Sequence, residues 1–311
     1  MSPAQATLAL GVVSATPLLY AALGELLCEK VGLFNAGIEG VMLVGAVTGF
    51  IVAVHTENVF VSLLAAAAAG AGFTAIVYGI PALLLGAQQV LVSFAVWFVG
   101  AGLASQVGLS YSTATITANL GNIHIPLLDR LPFIGKVFFD QFWPFYVGVI
   151  LALIIAFILN HSQHGLNMRA IGEDPASAHA SGVQVRRWQA FYLAVGGGFM
   201  GVGGAILSVA VTQTWTDDMT AGRGFIAFGL VIFAGWRSLG VLAASYVFGV
   251  LLILADVGQT YSWPIPAAVL SLIPYVMTVV VLIARTLLEV KRGRWTGAPA
   301  ALGISFRRGQ L

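Results

Sequence analysis

Asn35 and Glu39 stand out in a long apolar stretch, where an ionisable side chain such as that of Glu39 needs a hydrogen-bonding partner. Between Val31 and Leu128 the only charged residues are Glu39 and Glu57. The spacing Asn35-x-x-x-Glu39 predicts that both side chains share one face of a helix. Their chemistry would be hydrogen bonding, and two interpretations stay open: a polar gate or pore wall, or a lock at the end of a helix.

A second polar set consists of Gln89, Ser93 and Trp97, spaced four residues apart. On a helix this spacing again gives one face. An amide, a hydroxyl and an indole plane suit a purine or a ribose, which needs stacking and neutral hydrogen bonds. The other interpretation is hydrogen bonding between neighbouring helices.

The polar stretch from Gly165 to Gly182 carries the signals of a short capped helix. Asp174 is a good N-cap, Pro175 suits the first helical position, and Gly182 suits a C-terminal stop. The pattern predicts one helix over 176–181. Three cations flank it: Arg169, Arg186 and Arg187. Such a helix either inserts into a cleft on a partner protein or is part of a solvated connector.

Patterns for catalysis and metal binding are missing from the sequence. A phosphate-binding loop needs Gly-x-x-x-x-Gly-Lys-Ser/Thr, and of the three lysines only Lys136 follows a glycine, with Val137 next. The five histidines form no His-Glu-x-x-His motif. We therefore predict no catalytic residue and no metal site, and we expect that this chain does not hydrolyse ATP.

The elements that position these residues must be membrane helices. The chain has 311 residues, of which 59% are apolar and 8% are charged, whereas a soluble domain carries about 25% charged residues. This composition excludes a water-soluble enzyme and a nucleic-acid-binding protein. The uncharged stretches approach or exceed the ~20 residues that a helix needs to cross a bilayer. The sequence predicts an all-α polytopic membrane protein.

Nine transmembrane helices are predicted, with eight and ten as the limits. They cover 6–28, 35–54, 59–85, 89–108, 142–160, 188–212, 223–237, 239–256 and 264–288. The segment 223–237 is short, so it is either a crossing or a re-entrant half-helix. A weak echo between the glycine-bounded segments that begin at Gly37 and Gly224 predicts two structural repeats.

The positions of Lys and Arg predict the orientation of a single permease domain over 1–311. Basic residues concentrate in the loop 161–187 and in the tail 289–311. The excess of positive charge on cytoplasmic segments places both in the cytoplasm. Nine crossings would then place the N-terminus outside.

Four motifs, in order along most of the chain, resemble one family. They are Pro17 to Ala46 (including Asn35-x-Gly37-x-Glu39-Gly40), Arg169-Ala-x-Gly172-x-x-Pro175-x-x-Ala178-x-x-x-Gly182-Val, Gly222-Arg223-Gly224-Phe225-Ile226-Ala227 with Gly235-Trp236, and Pro299-Ala-Ala-Leu-Gly303. The set resembles the permeases of ATP-binding cassette (ABC) importers of the ribose, nucleoside and branched-chain amino-acid type. The last two motifs are similar to its nucleoside branch. Lys30 and Asp174 stand where that branch often has Arg and Asn.

The resemblance implies uptake of nucleosides or related purines across the bacterial cytoplasmic (inner) membrane. It implies a loop that couples this chain to a separate ATPase, which uses ATP and Mg²⁺, while this chain binds no cofactor. The coupling residues would be Arg169, Gly172, Asp174, Pro175, Ala178 and Gly182. The candidates for the translocation pathway are Asn35, Glu39, Gln89, Ser93 and Trp97.

Further partners are implied by the same resemblance. They are an extracytoplasmic nucleoside-binding lipoprotein or periplasmic protein and a second permease, with a heterodimer favoured over a homodimer; nucleic acid is not expected. The alternative is an ion-gradient-driven secondary transporter of small polar solutes. Such a carrier often places several ionisable groups at mid-membrane, where only Glu39 is a candidate.

Overall fold

A computed structural model describes residues 3–116, 121–124, 134–292 and 297–306. The helices are α1 (Pro3–Lys30), α2 (Ile38–Thr56), α3 (Val59–Phe73), α4 (Gln89–Gly108), α5 (Ile134–Phe138), α6 (Trp143–His161), α7 (Gln163–Glu173), α8 (Pro175–Ala180), α9 (Val185–Ile206), α10 (Arg223–Phe233), α11 (Ser238–Leu252), α12 (Leu254–Thr260) and α13 (Ala267–Arg292). Wider π-type turns extend α3 through Thr74–Leu84 and α9 through Leu207–Val211. Of the predicted cytoplasmic tail, Arg294, Arg307 and Arg308 lie outside the described residues.

Eight helices in the described part of the chain are long and apolar enough to cross a membrane. The predicted polytopic helical fold is thereby confirmed. One departure from an all-α structure is a small hairpin, in which β1 (Asn122–His124) pairs antiparallel with β2 (Asp140–Phe142). It lies in the polar connection between α4 and α6, where the sequence gave no period-2 pattern long enough to predict strands.

The two ends of the helix bundle carry different connections. At the loop end, α7 and α8 lie beside the C-terminal residues, and the Ala301 N–H donates to the Gly172 carbonyl at 2.8 Å. At the hairpin end, β1 and β2 lie near the start of α1 around Leu10. The chain therefore starts at the hairpin end, and its C-terminal residues lie at the loop end, as an odd number of crossings requires.

The short segment near 223–237 forms half of a crossing. Its helix α10 has 11 residues, which is about 16 Å at 1.5 Å per residue, against ~30 Å of hydrocarbon. Before it, Thr214 pairs with Thr115 at the hairpin end. After it, the Trp236 indole donates a hydrogen bond to Glu29, near the loop end of α1. The chain thus passes from the hairpin end through the turns at 217–222 into a half-helix.

Glycine contacts allow the central helix α9 to approach α1, α2 and α3 closely. A Cβ on Gly45 would lie 2.2 Å from the Gly201 oxygen, and a Cβ on Gly196 would lie 2.6 Å from the Gly24 oxygen. Membrane helices associate through such close van der Waals contact because lipid offers no hydrophobic drive between them. This bundle core fixes the positions of α1 and α2, which carry the polar residues.

The connection between α6 and α9 holds two helices, whereas the sequence predicted one. The Ser162 hydroxyl caps α7 by accepting from the Gly165 N–H at 3.1 Å, a signal that the sequence analysis overlooked. The predicted helix is α8, which begins one residue earlier than expected, at Pro175. Arg169 and Gly172 therefore lie on a helix, not on an irregular loop.

Candidate functional site

The Glu39 carboxylate binds the start of the half-helix α10. Its Oε1 accepts from the Thr220 hydroxyl at 2.6 Å and from the Gly222 N–H at 2.7 Å, and its Oε2 accepts from the Gly224 N–H at 2.6 Å. Glu39 is 2% exposed. The first N–H groups of a helix lack internal partners and carry partial positive charge, so a carboxylate stabilises them. The contact is of the helix-lock kind, and a gating role stays a prediction.

Asn35 lies in the turn before α2 and not on its first helical turn, so the expected shared helical face is wrong. Its Oδ1 accepts from the Gly37 N–H at 3.1 Å, and its own N–H donates to Glu25 Oε1 at 3.2 Å. Asn35 is fully buried. It shapes the turn that delivers Glu39 to α10.

Gln89 and Ser93 also hold this turn. Gln89 Oε1 accepts from the Phe34 N–H at 2.8 Å, and the Ser93 hydroxyl donates to the Phe34 carbonyl at 3.0 Å. The Tyr78 hydroxyl, which the sequence analysis did not single out, lies 2.7 Å from the same carbonyl. These three side chains are buried, so their hydrogen bonds join α3 and α4 to the start of α2.

Trp97 is separated from the other two members of its predicted set. It is partly exposed, and its ring meets Phe225 of α10 edge-on at 5.0 Å. Phe225 is itself 37% exposed. The four-residue spacing therefore placed the three residues on one helical face. Gln89 and Ser93 lie at its buried end and hold the turn before α2, whereas Trp97 at the other end presents aromatic surface.

Asp174 caps α8 as expected. Its Oδ1 accepts from the Ala176 N–H at 2.9 Å and from the Ser177 N–H at 3.1 Å. The Ser177 hydroxyl donates to the other carboxylate oxygen, and this bond, with the backbone bonds, lowers the pKa of Asp174 from its ordinary value. Asp174 and Ser177 are exposed, so the start of α8 is open to a partner.

The remaining coupling candidates divide into inward and outward positions. Gly172 and Ala178 are buried, and Ala178 belongs to the main apolar core. Arg169 and Gly182 are exposed, and Gly182 adopts a φ of +90°, which favours glycine. Pro175 is half-buried. The connector is thus anchored on one side and accessible on the other.

Backbone hydrogen bonds join the connector to the C-terminal residues and to α1. The Ala301 N–H donates to the Gly172 carbonyl at 2.8 Å, and the Gly303 N–H donates to the Gly32 carbonyl at 3.2 Å. A Cβ on Gly172 would lie 2.6 Å from the Lys30 oxygen and 3.0 Å from Pro299 Cβ. A larger residue at this position would collide with the end of α1, so α7 packs closely against it.

The end of α1 is joined in turn to the end of α10 by Glu29. Glu29 is fully buried and accepts the hydrogen bond of the Trp236 indole. The sequence analysis did not treat Glu29, Trp236 or Thr220 as site residues. The available signal was the pair Glu25 and Glu29, two carboxylates on one face of an apolar helix.

The four sequence motifs therefore meet in one network at the loop end. It runs from α8 and α7 to the C-terminal residues, to the end of α1, and on to both ends of α10. Its members are hydrogen-bonding and close-contact groups without a nucleophile or an acid–base pair. The network thus links the connector, the C-terminal residues, α1 and α10 by direct contacts.

Comparison with known proteins agrees with these motifs. The family described as the permease component of branched-chain amino acid transport systems matches residues 7–282. The ABC transporter permease TsgC13 of Haloferax volcanii, named for glucose, is 37% identical over 81% of this chain and 77% of its own length. The nucleoside permease NupC of Lactococcus lactis is 29% identical over 87% of this chain and 89% of its own length.

A third relative has nearly the same length as this chain. The guanosine ABC transporter permease NupQ of Bacillus subtilis is 30% identical over 96% of this chain and 95% of its own length. Since the family match spans most of the sequence, the protein belongs to the family of permease components of branched-chain amino acid transport systems.

Proposed function

We propose that this chain is the membrane-spanning subunit of an ATP-driven ABC importer and that a separate ATPase moves it from the cytoplasm. The observation that carries the proposal is the position of Gly172, which accepts a hydrogen bond from the Ala301 N–H and packs closely against the end of α1. It connects an exposed capped helix, α8, to the buried starts and ends of the membrane helices. A secondary carrier would have no need of such a connection.

The proposed mechanism moves α10 through its two anchors. The ATPase binds the exposed side of α8. It uses ATP and Mg²⁺, whereas this chain binds no cofactor of its own. Displacement of α7 shifts the end of α1 because Gly172 touches Lys30. The shift reaches α10 through Glu29 and Trp236 at one end and through Glu39 at the other.

The orientation follows from the same assignment. The ATPase is cytoplasmic, so the loop end, with the connector 161–187 and the C-terminal tail 289–311, faces the cytoplasm of a bacterial cell, and the N-terminus lies outside. The concentration of arginine at Arg169, Arg186 and Arg187 supports this orientation.

Nucleosides or related purines are the proposed substrate class. Two of the three relatives carry names for nucleoside or guanosine transport. In this chain Trp97 and Phe225 present an exposed aromatic edge at the side of the broken crossing, and aromatic surface stacks with any base. The relative named for glucose makes a simple sugar the competing substrate.

The complete importer would contain three further kinds of subunit. They are the ATPase, a second permease that is a different chain (a homodimer is the competing assembly), and an extracytoplasmic nucleoside-binding lipoprotein or periplasmic protein. The partly exposed aromatic surface on α4 and α10 supports a second permease. The substrate would pass along this surface, and a second permease would close the other side of the pathway.

Reconstitution in proteoliposomes tests the proposal. We expect uptake of labelled guanosine only when the second permease, the ATPase, the binding protein and ATP are present, with guanosine competing better than glucose. Guanosine uptake by this chain alone, driven by a proton or sodium gradient, would support the secondary carrier instead. A preference for glucose would retain the importer and overturn the substrate class.

A further inference from the structure

A cavity of about 510 Å³ lies at the loop end, between the α7–α8 connector and the first turns of α9. Its wall combines polar and aromatic groups: His164 and Asn167 come from α7, and Arg187 and Trp188 come from α9. The His164 and Trp188 rings lie 5.2 Å apart. Arg187 is the single formally charged side chain among the residues that line this cavity. The cavity is therefore suited to a compact anionic group beside aromatic surface.

An apolar groove of about 420 Å³ continues along α9 from this cavity. Phe191 lines both spaces and is 61% exposed. The groove has small side chains along its walls and large rings at its floor. Its walls and floor include Ala67 and Ala71 of α3, Leu151 of α6, Ala194 and Gly198 of α9, and the ring pair Tyr20–Phe199.

The length of the groove equals the depth of one bilayer leaflet. It extends along α9 from Phe191 to Val202, which is about 16 Å at 1.5 Å per residue. Half of the hydrocarbon core is about 15 Å thick. The groove is therefore long enough to hold an acyl chain that crosses one leaflet.

A basic and aromatic mouth joined to an apolar slot one leaflet deep has the chemistry of a phospholipid site. We propose that the cavity and the groove together bind one anionic phospholipid from the leaflet at the loop end. The phosphate accepts hydrogen bonds from Arg187 and pairs with its charge. One acyl chain lies in the groove against Phe191 and Ala194. Only the naming of that leaflet as the cytoplasmic one rests on the proposed function.

The bound lipid would join two parts of the coupling machinery. The cavity is formed on one side by α7 and the turn at Gly182, and on the other by α9. A head group between them restrains the connector against the central membrane helix. The site is thus placed to set the height of α8 relative to the membrane surface.

The test counts lipids on the assembled transporter. The permease with its ATPase is equilibrated in nanodiscs of equal phosphatidylglycerol and phosphatidylcholine, transferred to mild detergent, and analysed by native mass spectrometry. We expect one phosphatidylglycerol per permease chain, retained in preference to phosphatidylcholine. Arg187→Gln should lower that retention about fivefold, which corresponds to about 1 kcal/mol for one cation at an anionic surface.

Matched variants separate the site from general surface charge and from general damage. Arg186→Gln removes an exposed neighbouring charge that lies outside this cavity, and it should leave retention unchanged. Ala194→Phe fills the groove and should lower retention, whereas Ala95→Phe, at an exposed position of α4 that lines neither the cavity nor the groove, should not.

Three results would overturn the proposal. The first is equal retention of the two lipids by the unmodified complex, and the second is equal effects of Arg187→Gln and Arg186→Gln. The third is loss with Arg187→Gln but not with Ala194→Phe, which would show that the head group binds near Arg187 but that no acyl chain lies in the groove. Lipid counting does not depend on uptake, so a failed importer assignment would not produce any of these results.

Discussion

Two helices of this protein begin at a carboxylate, and the two carboxylates differ in origin and in burial. Asp174 belongs to the chain directly before α8 and is exposed, whereas Glu39 comes from α2 and reaches α10 inside the bundle. Water can replace Asp174 at its N–H groups, whereas Glu39 is 2% exposed and its partners are shielded from solvent. The start of α8 is therefore self-contained, and the start of α10 depends on where α2 lies.

This difference matches the parts that the two helices play in the proposed transport. A self-contained capped helix keeps its shape while a partner holds it. A helix whose first N–H groups are held by another element follows that element when it moves. The protein thus combines a self-contained helix, α8, which a partner can hold, with a half-helix, α10, whose position depends on α2.

Removal of the buried carboxylate should have the largest effect. Glu39→Ala leaves the Thr220 hydroxyl and the Gly222 and Gly224 N–H groups without their acceptor. An unsatisfied buried donor costs about 1–3 kcal/mol, so we expect a loss of about 3 kcal/mol or more in unfolding free energy and loss of uptake. Thermal unfolding of the purified protein and reconstituted uptake measure the two effects.

Two companion variants sharpen the interpretation of Glu39. Glu57→Gln changes an exposed carboxylate at the other end of the same helix and should leave stability unchanged. Glu39→Gln keeps one acceptor oxygen and should fall between. Should Glu39→Gln abolish uptake at full stability, the gating interpretation would gain over the helix lock.

A methyl group at Gly224 should break the same contact by collision. Its Cβ would lie 2.5 Å from the Glu39 nitrogen and 2.6 Å from the Glu39 Cα. Overfilling of this kind costs about 1–3 kcal/mol. The matched control is Gly229→Ala on the same helix, where the nearest atom would be 3.4 Å away. Equal unfolding temperatures for the two variants would contradict the close contact between α2 and α10.

Removal of the exposed cap should have the smallest effect, confined to α8. Asp174→Ala should speed hydrogen exchange at the Ala176 and Ser177 amides, while Asp174→Asn, which also caps helices, should not. Global unfolding should hardly change. Faster exchange across the whole bundle or a large loss of stability would show that α8 is not self-contained.

The pH dependence of this cap follows from its lowered pKa. Because the pKa is lower in the folded protein than the ordinary value of about 3.9, the cap is fully present above that ordinary value. It is lost as the pH falls through the lowered value. We expect the exchange rates of the two amides, corrected for intrinsic rates, to show constant protection from pH 8 to pH 5 and loss only in strong acid.

The sequence predicted the features whose signals are local. Apolar runs located the crossings, and Asp174 with Pro175 located α8, because each signal lies within the element that it specifies. The two short strands and α7 were missed, the latter although Ser162 offered a cap. The predicted internal repeat stays a prediction.

Pairings between distant residues could not be predicted from one sequence. Glu39 and Gly224 are 185 positions apart, and neither periodicity nor spacing links them. The set Gln89, Ser93 and Trp97 shares one face of α4 as predicted, but the surroundings of its members differ because their neighbours come from different helices. Whether such a residue is buried depends on helices that are distant in the sequence, and a single sequence does not show which helices these are.

The contact at Gly172 provides the most direct test of the account. In proteoliposomes that also contain the second permease, the ATPase and the binding protein, the quantity to measure is the amount of guanosine that the Gly172→Val transporter imports per ATP hydrolysed. The control is Gly72→Val, whose added Cβ would have no atom within 4 Å. We predict that Gly172→Val continues to hydrolyse ATP while import per ATP falls far below the control. An unchanged ratio in Gly172→Val would contradict the claim that movement passes from α8 to the membrane helices through this contact.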